Sequence, residues 1–333
     1  MRLLTFLADD APRAGILMDD GVHPLAVGVT VLDVVRAGLP VDPARWLPAT
    51  PAPVIAFDEC SLLAPLQPPT IRDFVAFEEH VEGVRRGIVG KESIPAAWYE
   101  APTFYFGNPH GVIGSGEEIS RPSGCAELDF ELEVGIVIGR SGSNVTPIEG
   151  LDHVFGYTIF NDWSARDLQR REMRVGLGPA KGKDFGSTLG PVLVTADEFT
   201  LYMDDEGFLG LAMSVSVNGE IIGSDMLSNM GWPISDLVAY ASRDTWIHPG
   251  DLLGSGTCGN GGCLAELWGR GVTGTPPPLQ AGDLVTMTVE GIGTISNRVV
   301  DGMPVPIIPP ARPRPRNRPS NRPPNQTGPD GAE

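Results

Sequence analysis

The chain has 333 residues, 41% hydrophobic and 20% charged, which suits a folded protein with a sizeable core arranged as one large domain or two modest ones. Forty-two acidic against 24 basic residues leave a formal net charge of −18, which argues against a nucleic-acid binder and against adhesion to anionic membranes. The four cysteines (Cys60, Cys125, Cys258, Cys263) form no CxxC pair, no secretory leader is visible and the apolar runs are too short to span a bilayer, so a reduced cytoplasmic protein is expected.

Residues 1–65 read as a small β unit of their own. Leu3–Leu7 and Gly15–Met18 read as strands around a turn at Asp9-Asp10-Ala11-Pro12, and Val22–Leu25 is placed to pair with them. Thr30–Ala37 reads as a short helix stopped by Gly38. The prolines Pro48, Pro51, Pro53, Pro65, Pro68 and Pro69 mark a domain boundary. Residues 66–307 read as a strand-dominated domain, with strands over Leu128–Ile138, Val154–Phe160, Pro191–Val194, Ala212–Val217 and Leu284–Val289. Helices are expected around Phe74–Arg86, Ala165–Arg174 and Ile234–Ala241. Strands outnumber helices without alternating regularly with them, which favours a mixed, β-rich α+β roll or sandwich over a βαβ sheet. Residues 308–333 alternate proline with arginine, have almost nothing apolar to bury, and are expected to be disordered.

Four segments carry chemistry. In Leu128-Asp129-Phe130-Glu131-Leu132-Glu133-Val134, strand periodicity places Glu131 and Glu133 on one face, and a divalent cation with hard oxygen ligands (Mg²⁺, Mn²⁺ or Ca²⁺) would relieve their repulsion. A solvated acidic face is an equal reading of that segment alone. In Phe160-Asn161-Asp162-Trp163-Ser164-Ala165-Arg166, a strand ends on Asp162, a further candidate ligand. Arg166 and Gln169 then share a helix face able to bind a carboxylate or carbonyl, with helix capping and surface pairing as the plainer alternative. Gly178–Gly186 sets Lys181 and Lys183 among glycines, where they can approach an anion; its spacing is not that of a phosphate-binding loop, and for this segment alone a flexible basic surface turn is the favoured reading. His80, one of five histidines, follows Asp73 and becomes a candidate general base only if it lies over the carboxylates. Cys258 and Cys263 flank a glycine-rich loop but make a poor zinc site.

Taken together, LDFELEV, NDWSARD, GKDFG and LLGSGT, in this order between about Ile71 and Met303, resemble the fumarylacetoacetate hydrolase family. The resemblance implies a mixed β-roll catalytic domain preceded by a small SH3-like N-terminal β domain, and a homodimer. It implies a metal, usually Mg²⁺ or Ca²⁺, held by Asp73, Glu131, Glu133 and Asp162. His80 matches the histidine that activates water and Glu266 the glutamate that orients it. Arg166, Gln169 and Lys183 match residues that contact substrate and stabilise negative charge, and Thr257 matches a substrate-contacting threonine. Val75 and Met173 stand where animal members carry substrate-binding tyrosines, which puts fumarylacetoacetate itself in doubt as substrate. The expected activity is metal-dependent hydrolysis of a C–C bond in a small diketo acid. Decarboxylation, isomerisation or hydration of a 2-oxo or dienoic acid on the same site is the alternative, and a non-catalytic ligand-binding homologue is a reading of another class.

Overall fold

The structure, a computed structural model, describes residues 1–86 and 94–312. The chain opens with β1 (Arg2–Ala8), β2 (Ala11–Met18) and β3 (Gly21–Pro24), an antiparallel meander. Its first turn uses Asp9 and Asp10 at φ 49° and 60°, a region that short polar side chains tolerate. In α1 (Val31–Ala37), Thr30 and Asp33 close a capping box and Gly38, at φ 80°, ends the helix as expected. Next come β4 (Ser61–Leu63), β5 (Ile71–Phe74), α2 (Glu78–Val84), β6 (Phe104–Gly107), β7 (Val112–Ile113), β8 (Ile119–Ser120), β9 (Leu128–Asp129) and β10 (Leu132–Ile138). They are followed by β11 (Val154–Asp162), β12 (Ser164–Ala165), α3 (Arg166–Met173), β13 (Ser187–Thr195), β14 (Ala212–Val217), β15 (Glu220–Met226) and α4 (Ile234–Ala241). The remaining elements are β16 (Leu252–Gly254), α5 (Leu264–Arg270), β17 (Leu284–Val289) and β18 (Gly293–Val300).

An eleven-stranded sheet runs β3-β2-β1-β13-β11-β10-β16-β5-β6, with β4 on β1 and β7 on β13. A second sheet runs β15-β14-β17-β18-β8, and β9 pairs with β12 alone. β10, β11 and β13 are buried along their whole length, as strands covered on both faces must be. Alternate residues serve the two faces. Leu132, Val134, Ile136 and Ile159 join Met287, Val289 and Ile295 of the second sheet, while Val137, Phe155, Leu189 and Leu193 join Val31, Val34 and Val35 of α1.

Several expectations change. Residues 1–65 do not stand apart: β1 pairs with β13, so the main sheet runs through both expected domains, and Met1–Met303 form one unit. The single strand expected over Leu128–Ile138 breaks at Phe130–Glu131, because Asp129 Oδ1 takes the Phe130 N–H and Asn161 Oδ1 takes the Glu131 N–H. The helix expected from Phe74 begins only at Glu78, since Phe74 is a strand residue paired with Phe104. Residues 304–312 are exposed and carry no regular secondary structure; the rest of the expected disordered tail lies outside the described residues. No helix among the described residues is long and apolar enough to cross a membrane.

Candidate active site

Five adjacent strands of the main sheet (β11, β10, β16, β5, β6) carry the acidic residues to one place. Gly254 of β16 lies in register with Gly135 on one side and Asp73 on the other, and Asp73 in turn lies opposite Tyr105. Glu133 lies opposite Phe160, two residues before Asp162 at the end of β11. Gly254 leaves the space into which these carboxylates point: a Cβ there would stand 2.2 Å from Asp73 Oδ1 and 2.8 Å from Glu133 Oε2.

Among the described residues, one group of side chains is close enough to share an ion: Asp73, Glu131 and Glu133, all buried, with ligand oxygens within 4.8 Å of one another. Burial pushes the Asp73 and Glu133 carboxyls well above the usual range; the charge of Asp162 adds to the rise at Asp73, and that of Asp73 adds to the rise at Glu133. Burial acts against ionisation of Glu131 too, but Lys183, Arg166 and His80 outweigh it and hold that carboxyl below the usual range. Asp73 Oδ1 is buried without a hydrogen-bond partner. An all-oxygen set, an orphaned oxygen and an open cradle fit a hard divalent cation, whose charge would offset the repulsion among the three carboxyls. Glu133 is steadied by the Gly256 N–H at 3.1 Å and the Thr257 hydroxyl at 3.2 Å. Thr257 thus touches a carboxylate of the trio. Asp162 stands beside the trio, receiving Lys183 Nζ at 2.5 Å and the Tyr105 hydroxyl.

Lys183 also pairs with Glu131. Arg166, 1% exposed, sets Nη2 2.8 Å from Glu131 Oε1, donates from Nε to Asp129 Oδ2 at 2.8 Å, and donates from Nη1 to Gln169 Oε1 at 3.1 Å. Asp129 in turn accepts the Leu264 and Ala265 N–H groups at 2.8 and 3.0 Å, tying the first turn of α5 to Arg166.

His80 lies over this cluster, with Nε2 3.9 Å from Glu131 Oε1, and burial lowers its pKa to about 4. Glu266 does not hydrogen-bond His80. Its carboxylate accepts the Asn260 and Gly261 N–H groups at 3.0 and 3.4 Å and pairs with Arg270 at 2.9 Å. The Nδ1 of His80 faces Cys263 Sγ instead, at 3.7 Å. The four cysteines are free; Cys258 and Cys263 are buried.

The family described as Fumarylacetoacetate (FAA) hydrolase C-terminal matches residues 70–300. The chain belongs to the fumarylacetoacetate hydrolase family. It is 35% identical over 202 residues to the oxaloacetate tautomerase YisK of Bacillus subtilis (strain 168), a match spanning 60% of this chain and 62% of that one, which is under two thirds of the relative's length. It is 31% identical over 292 residues to the fumarylacetoacetase of Arabidopsis thaliana, covering 70% of this chain and 69% of the relative. Among solved structures, the fumarylacetoacetate hydrolase of psychrophilic Exiguobacterium antarcticum superposes with a TM-score of 0.70 at 27% identity, over 91% of this chain and all of that one. These relatives are enzymes, and the sheet-rich mixed α/β fold matches the family. Of the two tyrosine positions noted in the sequence, Val75 is half-buried and Met173 is 50% exposed at the end of α3. Tyr105 brings a hydroxyl to Asp162 from β6, where burial and the nearby carboxylates raise its pKa well above the usual range. Sequence reasoning missed Tyr105, Asp129 and the Cys263 contact. Only Asp129 had a signal, since it continues the alternation of Glu131 and Glu133.

Proposed function

We propose that this protein is a divalent-metal-dependent enzyme that hydrolyses a C–C bond in a small diketo acid of the acylpyruvate type. The observation that carries this reading is the buried trio Asp73, Glu131 and Glu133, with its unpartnered oxygen, set against Lys183, Arg166 and His80. Asp73, Glu131, Glu133 and Asp162 would hold the cation, Mg²⁺ by preference, with Ca²⁺ or Mn²⁺ as alternatives. Once bound, the cation supplies Lewis acidity to a substrate carbonyl and charge neutralisation to an enolate.

The chain's own residues supply the rest. His80, uncharged at neutral pH, takes a proton from water at Nε2 as the water oxygen bonds to the distal carbonyl carbon. Lys183, Arg166 and Gln169 donate toward the oxygen that gains negative charge, each such donor contributing roughly 3–4 kcal/mol. The C–C bond then breaks, its electron pair passes to the departing enolate carbon, and that carbon regains a proton.

A second reading, tautomerisation of a 2-oxo dicarboxylate, is favoured by the likeness to YisK and by the absence of a Glu266–His80 hydrogen bond, since moving one proton needs no activated water. The test is a panel of acylpyruvates and oxaloacetate with Mg²⁺, Mn²⁺, Ca²⁺ or EDTA, for wild type and His80→Ala. Hydrolysis appears as loss of diketone absorbance with release of the two acids, and tautomerisation as keto–enol equilibration without carbon loss. No turnover of any panel member by metal-loaded protein would overturn both in favour of a ligand-binding homologue.

A further inference from the structure

α2 and α5 meet at Gly83, where a Cβ would come within 2.4 Å of Glu266 Cγ. That close approach sets the His80 ring against the first turn of α5. Cys263 is the N-cap of this helix, and its Sγ accepts the Glu266 N–H at 3.4 Å, so the sulfur is fixed by backbone. The same sulfur lies 3.7 Å from His80 Nδ1, while Nε2 faces Glu131 Oε1 at 3.9 Å. Both side chains are buried, His80 at 6% and Cys263 at 0% exposure.

We propose that Cys263, rather than Glu266, is the positioning residue of His80: its sulfur fixes the ring plane and keeps the ring proton on Nδ1, leaving the Nε2 lone pair toward the carboxylates. The inference rests on the reading of His80 as the base. A neutral imidazole has one N–H, so the partner of one nitrogen decides what the other offers. A thiol accepts and donates weakly, which orients the ring without locking it. The larger reach of sulfur closes a gap too wide for a hydroxyl at the same position. Burial and the neighbouring Asp129 carboxylate hold the thiol well above its usual pKa, so it stays a neutral partner. Glu266 acts on the ring only through its backbone N–H to the sulfur.

The experiment compares wild type with Cys263→Ala and Cys263→Ser on whichever panel substrate is turned over. Cys263→Ala is expected to lower kcat about tenfold, the scale of lost ligand-orienting contacts, with KM and Mn²⁺ affinity within about twofold of wild type. The hydroxyl of Cys263→Ser falls short of Nδ1 across the same gap, so that variant should lose kcat to a similar extent. Nitrogen-15 NMR, with the His80 signals assigned by their loss in His80→Ala, should show the Nδ1–H tautomer in wild type and a mixture in Cys263→Ala. Unchanged kcat and an unchanged tautomer in Cys263→Ala would overturn the proposal. If Cys263→Ala fails to fold, Cys263→Val, which keeps volume without a polar atom, takes its place. If His80→Ala retains turnover, the base reading fails, and the tautomer measurement alone decides whether Cys263 orients the ring.

Discussion

Replacing Gly254 by alanine tests the carboxylate cradle without touching a carboxylate. The backbone at Gly254 is ordinary strand, so the objection to a side chain is spatial. The new methyl would stand 2.2 Å from Asp73 Oδ1, 2.8 Å from Glu133 Oε2 and 2.9 Å from Phe160 Cε1, where ordinary contact begins at 3.4 Å. Asp73 must therefore retreat by about 1.2 Å and Glu133 by about 0.6 Å, or β16 must shift. Cation–oxygen distances of about 2.0–2.6 Å leave no room for such a displacement, so at least one ligand is lost. Crowding of this kind costs about 1–3 kcal/mol in stability. Disturbing even a supporting contact of a metal ligand weakens binding about 10–100-fold, so losing a ligand outright should weaken Mn²⁺ or Mg²⁺ by about 100-fold or more. Calorimetric titration of folded Gly254→Ala measures the affinity, and circular dichroism certifies the fold. A folded variant that binds Mn²⁺ with wild-type Kd would refute the placement of the cation between Asp73 and Glu133.

Two further changes probe charges that burial disfavours. Glu133→Gln should abolish metal binding yet stabilise the metal-free protein by about 0.5–2 kcal/mol, the range typical of a single stabilising substitution. Its parent carboxyl is held well above the normal range, so the folded state favours the neutral form and the gain grows with pH. Thermal unfolding in EDTA at pH 6 and 8 checks both the sign and the trend. Burial raises Glu266 from 4.5 to about 7, so between those values the folded state binds more protons than the unfolded chain and stability falls as pH rises. Glu266→Gln should therefore gain on wild type between pH 5 and pH 8, by at most about 3 kcal/mol at 1.36 kcal/mol per unit. A melting-temperature difference that does not change across that interval would contradict the shift.

The acids were legible because strand alternation is a local property. Glu131 and Glu133 share a face whether or not the strand continues, and here it does not. The break at Phe130–Glu131 depends on Asn161, thirty residues away, whose Oδ1 takes the Glu131 N–H. The start of α2 was misjudged for the same kind of reason: Phe74 has fair helix propensity, but pairing of β5 with β6 and β16 overrides it. Tyr105 matters only through register between strands distant in sequence, so nothing near it announces a role, whereas LLGSGT marked Gly254 as part of a motif without saying that its missing side chain makes room for two carboxylates. The N-terminal strands looked self-contained because their turns and helix caps are local, whereas the β1–β13 pairing that joins them to the site's sheet spans most of the chain.

Glu266 is instructive, because one partner of its carboxylate could have been read from the sequence. A glutamate four residues before an arginine on a short helix favours an ion pair along that helix, and Arg270 makes that pair. Granting Arg270 this role leaves His80 without a carboxylate behind it. The side chain nearest the start of the same helix, one helical turn before Glu266, is Cys263. As the N-cap, Cys263 is held by its contact with the Glu266 N–H, which keeps the sulfur in place beside His80. The orientation of the proposed base therefore follows from where α5 begins and from the glycine in α2 that lets the two helices touch.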